Sequence, residues 1–314
     1  MAESKFFGRV YRLSIKPANG KVMTFEVENG KPAMDIKFDV TYARGQTARE
    51  GTVSILGLSH KTIHEFISLS AMCRGKALSE LVHLRLDAGY FSGGGQLVNI
   101  LDGFIWYATV TSPPQMWLNL KVSEFNPQGG KMIDMPRENT KIPMRRILTN
   151  ITDSLSAGEG VEFDWEDKTE DQIISKDDEL KSIDFGDKNT LSGVISKLNS
   201  SLSDKVKFIL RTSNSDDTRI IEVHDNNDEK CAKGIVKVDK DNGLLSVTGI
   251  DAVNGCITTF LQGGNDDELC HLELDSLLNQ EANGRYYIFK KQYVGHFMGQ
   301  EWYTRYFCSA REDA

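Results

Sequence analysis

The sequence predicts an α+β fold that is mainly β, with two related β-modules at the ends of the chain and an α/β insertion between them. Three observations predict it. Apolar side chains recur at every second position near both ends, which is the strand period. Two stretches in the middle switch to helical spacing, and a five-residue motif of the first part returns in the last. At 314 residues the chain has room for more than one core, and it divides by pattern into residues 1–125, 126–240 and 241–314.

In the first part Ile36, Phe38, Val40 and Tyr42 alternate with Asp35, Lys37, Asp39 and Thr41. Val53 and Ile55, then Leu84, Leu86, Ala88 and Tyr90, then Leu118, Leu120 and Val122 repeat the alternation. Between them Ser59 is placed to cap a short helix whose Ile63, Phe66 and Ile67 share one face. A sheet closed around one helix is the expected result.

In the middle part Asn126-Pro127-Gln128-Gly129-Gly130 breaks the strand pattern, and Pro143 suits the first turn of a helix. Met144, Ile147, Leu148, Ile151 and Leu155 follow at helical spacing, and Leu191, Val194, Ile195, Leu198 and Leu202 reproduce that spacing after a start near Asn189 or Thr190. Residues 162–187 hold eleven acidic residues against three lysines, so an exposed, irregular connection is expected there. The runs Val206 to Leu210 and Ile220 to Val223 complete a small α/β unit.

The last part alternates again through Leu272 and Leu274, Tyr287 and Phe289, and Trp302, Thr304, Tyr306 and Cys308. His83-Leu84-Arg85-Leu86-Asp87 is echoed by His271-Leu272-Glu273-Leu274-Asp275, and each copy precedes a turn-forming stretch and a long apolar-aromatic strand. That order supports a duplicated β-module.

Charge and cysteine usage narrow the function classes. The net charge of −8 disfavours a general affinity for nucleic acid or anionic lipid. It is uneven: 14 basic against 11 acidic residues in 1–125, 18 against 23 in 126–240, and 5 against 11 in 241–314. No apolar run is long enough to span a bilayer as a helix, so no stable membrane association is expected. The start, MAESKFFGRVYRL, lacks the apolar core of a secretory signal, and the five scattered cysteines are expected to be reduced thiols.

Chemistry has little support in the pattern. Cys270-His271, His296 and Cys308 approach a zinc ligand set, but none shows the paired spacing by which four ligands reach one ion. Gly93-Gly94-Gly95 lacks the Lys-Ser/Thr and helix start of a phosphate loop and is expected at a hairpin tip. No nucleophile elbow places a serine, and the densest acids lie where burial is least able to raise a pKa. No catalytic residue, cofactor or metal is therefore expected. The Trp302-Tyr303 to Tyr306-Phe307 cluster is expected in core and interface, and Lys290-Lys291 on a solvated surface.

One stretch carries a resemblance. Val82-His83-Leu84-Arg85-Leu86-Asp87-Ala88-Gly89-Tyr90, a glycine-rich turn, and Leu97 to Trp106 with Gly103 resemble the V-x-L-x-A-G-Y, then I-F-x-G-x-I, signature of the baseplate hub proteins of contractile phage tails. Thr52 to Ser59 looks like that family's strand before its short helix, with Gly57 where Asn is usual. At the far end His296, Gly299, Trp302 and Thr304 supply most of the family's closing pattern; its Gly-Asp pair is replaced by Phe297-Met298-Gly299-Gln300, and Ile250 stands where a proline is usual. Ala88, Gly89, Tyr90, Gly103, His296, Gly299, Trp302 and Thr304 are thus the family-motif positions.

The resemblance implies two tube-type β-barrel domains, at 1–125 and 241–314, in a virion protein assembled in the host cytoplasm. It implies a homotrimer whose six similar modules match a six-fold tail tube at one end and a three-fold central spike at the other. Tube or tube-initiator proteins and other baseplate proteins are the further partners implied, and DNA passes through without stable binding. An acidic passage wall would let the genome slide. The competing classes are a tail-associated peptidoglycan hydrolase and an aromatic sugar-binding module.

Overall fold

The computed structural model describes residues 8–17, 20–28, 30–43, 49–71, 82–91, 97–124, 142–156, 161–165, 182–184, 191–202, 206–212, 219–225, 235–248, 255–261 and 271–311. Residues 1–44, 49–123 and 230–314 form one compact unit, and residues 45–48 and 124–229 a second. Gly93-Gly94-Gly95 and Cys270 lie outside the described residues.

The first unit opens with β1 (Arg9–Lys16), β2 (Met23–Glu28), β3 (Lys31–Pro32), β4 (Asp35–Ala43) and β5 (Glu50–Leu56). The helix α1 (His60–Ala71) follows, then β6 (Val82–Tyr90), β7 (Leu97–Val110) and β8 (Trp117–Ser123). The alternating side chains read from the sequence are the buried ones: Ile36, Phe38, Val40, Val53, Ile55, Leu84, Leu86, Leu118, Leu120 and Val122 form one core. The cap predicted at Ser59 forms, its Oγ accepting the Thr62 N–H at 3.2 Å. Ile63 and Phe66 then turn into the core.

The second unit contains β9 (Ile142–Pro143), α2 (Met144–Ser156), β10 (Val161–Asp164), β11 (Ser182–Ile183), α3 (Leu191–Ser201), β12 (Val206–Thr212) and β13 (Arg219–Asp225). Both helices bury the predicted stripes, Met144, Ile147, Leu148 and Ile151 on one and Val194, Ile195 and Leu198 on the other. Buried Asn199 joins α3 to β12 by donating to the Phe208 carbonyl at 2.8 Å and accepting its N–H at 2.7 Å. The acidic stretch is less irregular than expected. Its start lies in β10, which pairs in parallel with β13, and Ser182-Ile183 pairs with β9, so backbone pairing orders chain that has little apolar surface. Residues 166–181 lie outside the described set.

The chain then returns to the first unit with β14 (Val236–Asp239), β15 (Leu244–Thr248), β16 (Gly255–Phe260), β17 (His271–Asp275), β18 (Gly284–His296) and β19 (Trp302–Arg311). All the strands of this unit join one 14-stranded sheet in the order β15-β16-β19-β18-β4-β5-β8-β7-β6-β1-β2-β3, with β17 on β18 and β14 on β17. The two ends of the chain meet where β18 pairs antiparallel with β4, from Lys290 opposite Ala43 to His296 opposite Lys37. Leu261, Tyr293 and Trp302 belong to the same core as the first part.

Strand order repeats along this sheet. The path β6-β7-β8-β5-β4 is matched by β17-β18-β19-β16-β15. The long strand of each set is bulged at a matching step, β7 against β8 between Ile105 and Tyr107 and β18 against β19 between Ile288 and Lys290, and β18 slips once more, between Tyr286 and Ile288. The echoed motifs sit alike, His83 opposite Phe104 and His271 opposite Tyr287. A bulge is a defined extra residue that re-aims a strand, so its recurrence at one register strengthens the correspondence. The flanking strands differ, since β1 runs antiparallel to β6 and β14 parallel to β17.

Two expectations in β18 fail for one reason. The register slips between Tyr286 and Ile288 and again between Ile288 and Lys290. Each slip changes which face a residue takes. Ile288 is therefore the buried side chain where Phe289 was expected. Lys291, expected on the surface, is only 3% exposed and lies over the rings of Tyr293 and Tyr306 at 4.7 and 5.5 Å.

The opposite face of β19, β18, β4, β5 and β8 is polar. It carries Arg305, Lys290, Gln292, Lys37, Asp39, Thr52, Ser54, Asn119 and Lys121, which alternate with the core residues. Its cations lie against aromatic rings: Lys37 is 3.9 Å from the Trp117 centroid, Lys290 4.7 Å from Phe307, Arg305 4.9 Å from Tyr303 and Lys121 5.5 Å from Trp106. Among the described residues of this face, Asp35, Asp39 and Glu50 stand beside those four cations. The acidic surplus of the sequence is carried by residues 126–240 and 241–314.

Candidate functional site: a clasp between the two ends of the chain

The motif residues from the two ends converge on one place. Ala88, Gly89 and Tyr90 end β6, and Trp302 begins β19. Tyr90 Oη donates to the Trp302 carbonyl at 3.0 Å and accepts the Leu261 N–H at 3.3 Å. The Trp302 indole N–H returns a bond to the Gly89 carbonyl at 3.3 Å. These are the polar partners that a buried tyrosine and tryptophan require. Burial pushes the Tyr90 phenol up to about 12, against smaller opposing effects of the Leu261 hydrogen bond and nearby Arg9.

The β18–β19 turn is held from the other side by Arg9. Its guanidinium donates to the carbonyls of His296, Phe297, Gly299 and Gln300 at 3.0, 3.3, 2.6 and 3.0 Å, and lies 5.7 Å from the Trp302 ring centroid. One planar, always charged group with five donors thus satisfies a turn's worth of acceptors. Asp35 completes the clasp, its carboxylate accepting the Met298 N–H at 3.1 Å and pairing with His296 Nε2 at 3.1 Å.

Packing explains two glycines. A Cβ on Gly299 would fall on the His296 imidazole, and one on Gly295 would fall on the Phe38 ring. Around them the rings of Tyr11 and Phe297, Phe297 and Trp302, and Phe38 and Trp302 meet edge to face, with centroids 5.2 to 6.0 Å apart. Trp302 itself is 3% exposed.

The structure does not bring every motif residue here. Gly103 lies in the middle of β7, opposite Leu84, and Thr304 sits between Tyr293 and Thr259 in the ladder. Thr304 is fully buried, and its hydroxyl has no hydrogen-bond partner among the described residues. Sequence reasoning missed Arg9, Asp35 and Gly295. Arg9 stands in no pattern, and Asp35 read only as a polar residue alternating with apolar ones.

The arrangement locks backbone to backbone; among the described residues no group of three His, Cys, Asp or Glu side chains is placed to hold a metal ion. No described helix is long and apolar enough to cross a membrane.

Solved structures share the fold. A tail protein from Neisseria meningitidis MC58 is similar with a TM-score of 0.53 at 10% identity, over 95% of this chain and 96% of that one. The 43 kDa tail protein of prophage MuSo2 from Shewanella oneidensis gives 0.51 at 9%, over 96% and 97%. A chain of the lidded Francisella PdpA-VgrG complex gives 0.54 at 9%, over 98% of this chain but 53% of that one. No curated relative matches the sequence significantly. The sequence model described as baseplate hub gp41 matches residues 21–308, nearly the whole chain, and the protein belongs to that family of baseplate hubs.

Proposed function

We propose that this hub is a homotrimer that adapts a six-fold tail tube to a three-fold central spike and encloses the passage through which DNA leaves. The observation that carries this reading is the repeated strand order with its matching bulge. A chain with two like modules lets three copies present six like surfaces while keeping three-fold symmetry elsewhere. Residues 1–125 and 241–314 supply the modules as tube-type barrels, and residues 126–240 form the insertion. The clasp keeps the two modules of one chain from shifting, as a ring wall requires.

The polar sheet face lines the passage in this reading. Its cations rest on aromatic rings among neighbouring carboxylates, so it neither repels nor grips phosphate strongly. The work is mechanical, without a catalytic step. The partners are the spike, the tube or tube-initiator proteins and peripheral baseplate proteins of a contractile tail.

Light scattering on the purified chain tests the oligomer, and averaged electron micrographs of the particle test the symmetry. Three copies and a ring with six-fold modulation are expected. A particle that stays monomeric at all concentrations, or a ring of another order, overturns the proposal.

A further inference from the structure

Two leucines stand in water on a turn that hydrogen bonds hold in place. Between β17 and β18, Leu277 and Leu278 are 60% and 101% exposed. The Ser276 N–H donates to Asn283 Oδ1 at 2.6 Å, the Asn279 N–H to Ser276 Oγ at 3.1 Å, and Asn283 Nδ2 to Asp275 Oδ1 at 3.3 Å. A single 3-10 turn, Gln280–Ala282, follows, and Tyr286 Oη donates to the Ala282 carbonyl at 2.6 Å. Ser276 and Ala282 are buried on either side, so the turn is anchored at both ends while its tip keeps its apolar side chains in solvent. One exposed leucine is ordinary, but an adjacent pair on a fixed turn is a presented surface.

The repeat makes the pair more unusual. Counting on equally from the echoed His83 and His271 brings Tyr90 onto Leu278. Tyr90 is 7% exposed, because β6 runs on as far as this residue and carries it into the clasp. β17 stops at Asp275, so the residue that corresponds to Tyr90 is left outside. The leucine pair therefore belongs to the second module alone, and each chain has one.

The charges beside the leucines are acidic. Residues 271–284 contain Glu273, Asp275 and Glu281 and neither lysine nor arginine. Glu273 is balanced, standing 3.8 Å from Lys237 and opposite Arg285 in the ladder. Asp275 and Glu281 are exposed and have no cationic partner among the described residues. Such a rim repels phosphate and anionic lipid, and a second copy of the chain would bring the same net charge of −8. We propose that the Leu277–Leu278 turn is a docking knob for another protein of the particle, one that offers an apolar socket edged with lysine or arginine side chains. Holding the knob in place beforehand removes the ordering cost that a loose loop would bear on binding. The count rests on the ring of three proposed above: such a ring carries three knobs beside its six like modules, so this partner meets it at three places.

In tail particles assembled with the full chain, Leu278→p-benzoylphenylalanine places a photo-activated ketone at the tip, and the peptide it joins is read by mass spectrometry. A cross-link to another protein, at an apolar residue flanked by lysine or arginine, is expected. Leu277→Ser combined with Leu278→Ser should leave the Tm and the light-scattering mass of the purified chain unchanged, since both side chains are already in water. The same variant should lower the amount of the cross-linked protein recovered with the chain by about tenfold or more. Glu281→Lys should lower it by about threefold through the rim charge. No cross-link in particles that contain the chain, a cross-link to a second copy or to a surface without basic side chains, or full recovery of the partner with the double serine variant overturns the knob and leaves the ring of three standing. A ring of another order in particles that do give the expected cross-link overturns the ring and leaves the knob standing.

Discussion

Replacing Arg9 tests how the clasp is held. Its guanidinium reaches four carbonyls of one turn, three of them in part-buried contacts at 2.6 to 3.3 Å and the fourth exposed. A hydrogen bond from a charged donor contributes about 1.5–3 kcal/mol net when buried, but here the donor group is shared and partly solvated, so the contacts do not add. Arg9→Ala should cost about 2–4 kcal/mol. In a unit of this size that is roughly 5–10 °C in Tm. Arg9→Lys should recover less than half, because an ammonium cannot span the acceptors that a planar fork reaches. Thermal and urea unfolding followed by circular dichroism measure both. A loss below about 0.5 kcal/mol for Arg9→Ala, which is the range of an ordinary surface substitution, would refute the view that this residue fastens the turn.

Three further outcomes follow from the same geometry. Gly299→Ala forces the His296 ring off its Asp35 partner and should cost about 1–3 kcal/mol, and adding His296→Ala should restore part of it in a double-mutant cycle read by Tm. Tyr90 ionises at about 12 when folded and near 10 when unfolded, so its neutral form is favoured by folding. That contribution is complete below pH 10 and is lost as pH rises toward 12, about 3 kcal/mol in all; Tyr90→Phe should flatten the alkaline limb of the stability profile while costing about 1–2 kcal/mol at neutral pH. Thr304→Val should be neutral or slightly stabilising, by at most about 1 kcal/mol, because the buried hydroxyl has no partner among the described residues; a loss above about 2 kcal/mol in chemical unfolding would refute this.

Much of the sheet was legible because alternation reports which face of a strand is buried, and that depends only on residues two apart. Ile36 to Tyr42, Leu84 to Tyr90 and Leu118 to Val122 behave that way. The Ser59 cap and the two helical stripes were legible for the same local reason. β18 was misread because a bulge inserts one residue into the pattern without altering composition, so nothing in Tyr287 to Lys291 announces where the phase turns. The motif positions were half informative. Tyr90, Gly299 and Trp302 meet in the clasp, whereas Gly103 and Thr304 serve the ladder.

By itself, then, the sequence determined the mainly β class, the helices of the middle segment, the duplicated motif and the family resemblance, all of which rest on spacing within a few residues. Only the tertiary structure decided that the two ends share one sheet, that Arg9 and Asp35 fasten a turn nearly the whole chain away, and that Lys291 lies among aromatic rings. The first two are pairings between residues hundreds of positions apart, and the third follows from the register of β18 against β19. Their partners are chosen by strand order and register, which the periodicity of a single strand does not encode.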